Sequence, residues 1–139
     1  MNSREEDNLI FVVLSNGEDF FSSIKDVSIK HNIVNGIIIS ALGQIKKFKL
    51  GFYKNKNYII RNFEKPYEIV NFAGNIIKNL EDDYELHIHA VLSDENMNTI
   101  GGHFINGKVE LISEFIIIKT NFQISRIFDK STNTKRIVF

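Results

Sequence analysis

At 139 residues, 43% hydrophobic and 12% aromatic, the chain has the make-up of one ordinary folded domain with a single core. It contains no cysteine, which excludes disulfides, thiolate metal sites and a cysteine nucleophile together, so any metal must be held by nitrogen and oxygen. A formal net charge of +0 removes the overall positive field that draws proteins to phosphate backbones or anionic lipid.

The first seven residues, Met1 to Asp7, are acidic and polar, unlike the basic start and apolar middle of a signal peptide, and no later apolar run approaches membrane-spanning length. A cytoplasmic protein with no membrane contact is expected. We divide it into a polar N-terminal segment (1–8), one domain (9–129) and a polar C-terminal tail (130–139).

Leu9 to Leu14 reads as the first strand. The Asn16-Gly17 turn leads into Glu18 and Asp19, whose carboxylates suit a helix N-terminus. Phe20, Ile24 and Val27 then follow at helical spacing, which predicts one helix running to about His31. Ile33 to Leu42 is a nearly continuous apolar run, the pattern of a strand covered on both faces. Lys47 to Phe52 alternates strictly, placing Phe48, Leu50 and Phe52 inward. Tyr58 to Phe63 and Tyr67 to Ile77 follow on either side of Pro66, and Gly74-Asn75 marks a bulge in the second of them.

Tyr84 to Leu92 is the next strand, then a polar loop from Ser93 to Asn98, then Thr99 to Ile105. Asn106-Gly107 predicts a two-residue hairpin turn into Lys108 to Ile118, with Phe122 to Phe128 closing the series.

Three of the four histidines lie in Leu86-His87-Ile88-His89-Ala90 and Gly101-Gly102-His103. Residues two apart on a strand share a face with Cα atoms ~7 Å apart, so His87 and His89 can converge on one ion. His103 joins them if its strand lies alongside, and Gly101-Gly102 removes bulk where close approach is needed. Three neutral imidazoles make a zinc site with an open fourth position, and nickel, cobalt and iron suit the same donors. The expected hairpin pairs Ile105 with Lys108 and so sets His103 opposite Glu110. Glu114 shares that parity, and either carboxylate is a candidate partner for an imidazole or a metal-bound water. His31 is more simply a residue favoured by the helix dipole.

The blocks Gly17-Glu18-Asp19, Ser40-Ala41-Leu42-Gly43, Leu50-Gly51-Phe52-Tyr53, Tyr67-Glu68-Ile69, His87 to Asp94, Gly101-Gly102-His103 and Glu114 resemble, in order and spacing, the PPC domain of plants and prokaryotes. The resemblance covers about Leu9 to Ile118. It implies an α+β fold, an antiparallel or mixed sheet carrying one main helix, assembled as a homotrimer. It also implies a metal, usually zinc, on His87, His89 and His103, and places Glu114 at a recurrent acidic position. Plant members join the domain to an AT-hook, and prokaryotic members are often labelled DNA-binding. No Arg-Gly-Arg-Pro hook occurs here, and Arg4, Arg61, Arg126 and Arg136 are scattered.

Neither a P-loop nor a Gly-X-Ser-X-Gly elbow is present, and Ser40, Ser93, Asp94 and Glu95 read as ordinary strand and loop residues. The expectation is therefore a binding or regulatory module with a three-histidine metal site, a small-molecule ligand at the metal and DNA as a further partner. The alternative is a metal-dependent hydrolase or lyase in which Glu110 or Glu114 moves the proton.

Overall fold

Asp19 starts the helix: its carboxylate accepts from the Phe21 and Ser22 N–H groups at 3.1 and 2.9 Å. The computed structural model, which describes residues 1–139, places helix α1 over Phe20–Lys30, with His31 as its C-cap. Phe20, Ile24 and Val27 form its buried stripe, as their spacing predicts. His31 tethers the helix end to strand β1 (Asn2–Glu6), its ring lying 2.8 Å from a Glu5 carboxylate oxygen and 2.9 Å from the Ser3 hydroxyl. The polar segment 1–8 is thus an edge strand, paired with β2 (Leu9–Ser15).

The remaining strands of the main sheet are β3 (Asn35–Lys54), β4 (Asn57–Phe63), β5 (Tyr67–Lys78), β6 (Tyr84–Ser93) and β7 (Thr99–Thr120). Their order is β1-β2-β7-β6-β5-β3-β4, every pairing is antiparallel, and β3 also pairs with β7. That extra ladder closes β7, β6, β5 and β3 into a ring. Phe20 enters from the helix and packs against Phe72, Phe115 and Phe104 at centroid distances of 4.5, 5.3 and 6.0 Å. This is the mostly antiparallel α+β architecture the sequence predicts. No helix is long and apolar enough to cross a membrane.

Two long strands replace four expected short ones. The runs Ile33–Leu42 and Lys47–Phe52 belong to one strand, β3, which bends through register shifts at Ile38/Ser40, Gly43/Gln44 and around Lys46 to Leu50. Gly43 has φ 114, and a Cβ there would stand 2.1 Å from the Ile112 carbonyl oxygen, so only glycine fits this crossing of β3 and β7. Similarly, Asn106-Gly107 is no hairpin. Chain β7 runs straight through it, with Asn106 opposite Lys49 and Lys108 opposite Lys46 on β3. Pairing with β3 on both sides of the dipeptide overrides the local turn preference. Gly107 has a packing reason instead, since a Cβ would meet Ile45 at 2.7 Å and Phe48 at 2.8 Å.

Smaller expectations also change. Ile37, Ile39 and Leu42 are 40%, 45% and 58% exposed, so within one chain β3 is covered on one face only. Phe52 points outward with its cross-strand partner Ile59, because β3 and β4 continue as a two-stranded ribbon beyond the core. The bulge in β5 falls at Ile69/Asn71, while Gly74 stays in register opposite Ile88. The expected last strand, Phe122 to Phe128, is β8 (Ser125–Asp129), and the polar tail pairs with it as β9 (Thr134–Val138) in a separate hairpin.

Candidate metal centre

Alternation along β6 sends Ile88 and Ala90 into the core and His87 and His89 outward on one face. Across the β6–β7 ladder His103 stands directly opposite His89. The ring centroids of His87 lie 5.2 Å from those of both His89 and His103, and the last two are 5.5 Å apart. One ligand nitrogen from each imidazole lies within 4.8 Å of the other two. The three residues singled out in the sequence therefore meet in space.

Glycines set the close approach. A Cβ at Gly101 would lie 3.0 Å from the Ala90 carbonyl oxygen, and one at Gly102 would lie 2.9 Å from that of Gly51. The Tyr58 ring lies against His103 at a centroid distance of 5.0 Å, over a backbone kept bare by Gly51.

Burial pushes the His103 pKa down to about 4, and the neighbouring His87, His89 and Arg126 charges act in the same direction. Desolvation, then Arg126 and His89, lower that of His87. Both rings are accordingly neutral at pH 7, the state in which imidazole ligates a metal. His103 Nδ1 is buried without a hydrogen-bond partner. Three imidazole nitrogen donors, one of whose rings carries an orphaned polar atom, fit a divalent transition metal such as zinc.

The two glutamates do not join them. Because β7 does not turn at residue 107, Glu110 lies opposite Gln44 and forms an ion pair with Lys46. Glu114 lies opposite Leu42 on β3 and Val13 on β2. At a strand rise of ~3.3 Å per residue, they stand roughly 23 and 36 Å along the strand from His103. Neither reaches the imidazoles of its own chain. Asp94 serves its own loop, accepting from the Asn96 and Asn98 N–H groups at 2.9 Å each.

The structure adds residues that sequence reasoning passed over. The β8–β9 hairpin walls a cleft of about 580 Å³ whose floor includes His87 and His103 and whose sides include Tyr53, Tyr58, Arg126 and Phe128. Arg126 donates to the side-chain oxygen of Asn75, the residue opposite His87 on β5. Lys135 pairs with Glu85 at 2.6 Å, Asn133 donates to the Lys56 carbonyl at 3.0 Å, and the Tyr53 hydroxyl donates to the Thr132 carbonyl. Glu85 was accessible to the parity that links His87 and His89. No local signal marks Arg126, which is far from them in sequence and reaches the cleft only through the hairpin.

Comparison with known proteins agrees with this fold. The profile of the Plants and Prokaryotes Conserved (PCC) domain matches residues 1–121. Among solved structures, a candidate DNA-binding protein of Bacteroides thetaiotaomicron superposes with a TM-score of 0.91 at 21% identity, covering 99% of this chain and 96% of that one. A metal-containing protein of Archaeoglobus fulgidus gives 0.83 at 23% identity, with 97% and 96% covered. A plant- and prokaryote-conserved protein of Pyrococcus horikoshii gives 0.80 at 23% identity, with 94% and 90% covered. At these identities the likeness establishes the shared fold. No curated protein matches the chain by sequence.

Proposed function

The chain belongs to the Plants and Prokaryotes Conserved domain family, and we propose that it is a metal-binding regulatory module, assembled as a homotrimer, whose three-histidine centre takes a small ligand. The observation that carries this reading is the convergence of His87, His89 and His103 within 4.8 Å. These three side chains would hold the ion, zinc being the expected one, and a bound metal would supply a Lewis-acidic open position. A relative of the same fold described as metal-containing supports it.

Trimer assembly is supported by the bare apolar face of β3, where Ile37, Ile39 and Leu42 are too exposed for an isolated domain. A DNA-associated role enters through relatives described as candidate DNA-binding proteins. It would have to use a surface of the assembly, since the chain carries neither a minor-groove hook nor net positive charge.

The cleft beside the histidines favours small-molecule work, including hydrolytic or lyase chemistry. That second reading lacks its proton carrier: Glu110 and Glu114 lie elsewhere, and Glu85 is held by Lys135. Elemental analysis of untagged protein tests the metal centre. Near-stoichiometric metal in the parent and little in His87→Ala or His103→Ala is expected, and a metal-free parent that takes up none on titration would remove it.

A further inference from the structure

We infer that the cleft between the histidine centre and the β8–β9 hairpin is a binding site for a small organic carboxylate, which bridges the metal and the Arg126 guanidinium. This rests on the metal reading above and names the ligand class of that site.

The first ground is charge. Arg126 is half-buried and anchored by one nitrogen to Asn75. Glu85, whose charge acts on it, is engaged by Lys135 at 2.6 Å, and the guanidinium makes no salt bridge of its own. Partial burial of an unpaired cation is costly, and the cost rises when a divalent ion sits nearby on neutral ligands. An anion between the two relieves both. The guanidinium is suited to this, because its planar fork matches a carboxylate edge even with one nitrogen already in use.

The second ground is the shape and lining of the cleft. Its volume of about 580 Å³ is in the range of small-molecule sites. Tyr53, Tyr58, Leu86 and Phe128 line it, offering aromatic and aliphatic surface for the body of a ligand whose charged end faces Arg126. The lining has no glycine-rich loop or helix N-terminus of the kind that cradles phosphate, and its second cation is already paired. These features favour one planar, singly charged group over a phosphate dianion.

The third ground is the hairpin itself. It lies outside the 1–121 span of the family profile, yet four tethers, from Asn75, Tyr53, Lys56 and Glu85, hold it against the site. Such anchoring positions Arg126 as part of a formed wall rather than as a loose end.

The test uses full-length protein loaded with cobalt(II), whose visible absorption reports its coordination, with benzoate and inorganic phosphate as probes. Benzoate is expected to shift the cobalt spectrum saturably and to bind more tightly than phosphate. Arg126→Gln should retain cobalt but weaken benzoate by roughly 10–100-fold, the loss typical of a charge-assisted hydrogen bond. Arg126→Lys should recover only part of this. Retained cobalt binding also shows that the variant's site is folded. Equal benzoate affinity in Arg126→Gln, tighter binding of phosphate, or no spectral response to benzoate would each overturn the carboxylate site while leaving the metal centre standing. Failure of the parent to bind cobalt would instead overturn the metal reading, and the carboxylate site with it.

Discussion

Gly74 passes so closely beneath His87 that a Cβ added to it would stand 2.2 Å from the His87 carbonyl oxygen and 2.8 Å from the Ile88 Cα. Both contacts are with backbone, which cannot rotate away. The β5–β6 ladder that aims His87 therefore requires glycine at position 74. Gly74→Ala is expected to lower stability by ~1–3 kcal/mol, the usual range for overpacking, and to weaken metal uptake as β6 moves. Urea denaturation together with a cobalt titration measures both, and an unchanged midpoint would show that the strands part more easily than this contact implies.

Removing a ligand should cost more metal affinity than disturbing its surroundings. His87→Ala, His89→Ala and His103→Ala are each expected to weaken binding by more than the ~10–100-fold typical of losing an outer hydrogen-bond partner. Because metal binds the folded state, chelation should lower the melting temperature of the parent and leave that of His103→Ala unmoved. Calorimetry with and without chelator checks this.

The depressed pKa of His103 carries a sign. A histidine whose folded pKa is about 4, against an ordinary value near 6.5, binds fewer protons folded than unfolded between those values. For the metal-free protein, its contribution to stability is thus constant above about pH 6.5 and falls as pH drops toward about 4. His103→Gln should flatten that part of the stability-against-pH curve. NMR titration should find the His103 ring still neutral at pH 5.5, and a midpoint near 6.5 would contradict its burial.

The aromatic centre should dominate the energetics of folding. Phe20 is fully buried among Phe72, Phe104 and Phe115, so Phe20→Ala is expected to cost ~3–5 kcal/mol. Asp19→Ala, which removes only the helix cap, should cost ~1 kcal/mol. Equilibrium unfolding of the two variants gives the comparison, and the reverse order would place the folding energy elsewhere.

Assembly is tested on the exposed β3 face. Sedimentation equilibrium is expected to give a trimer for the parent, and Leu42→Lys, a charge placed on a side chain 58% exposed in one chain, should shift it toward monomer without unfolding it. A monomeric parent would require another explanation for the apolar face.

Elements with a strong local cause were legible in the amino-acid order. The Asp19 cap and the Phe20, Ile24 and Val27 stripe placed α1 within one residue of its observed end. Period-two spacing put His87 and His89 on one face, and adjacent glycines marked where β7 comes close. Asn106-Gly107 misled because its turn preference is local, whereas the pairing of β7 with β3 is not. With the turn went the placement of Glu110 opposite His103.

What the sequence determined by itself, then, was the set of nitrogen donors, the absence of thiolates, the helix and the family pattern, since each depends on residue type and short spacing. Tertiary structure alone decided that His103 faces His89, that Glu110 does not, and that the strand carrying Arg126 pairs with the polar tail and brings the guanidinium to the cleft. Those outcomes depend on which strands pair across long stretches of chain. A register is selected by the summed burial and hydrogen bonding of the whole closed sheet, which no local window contains.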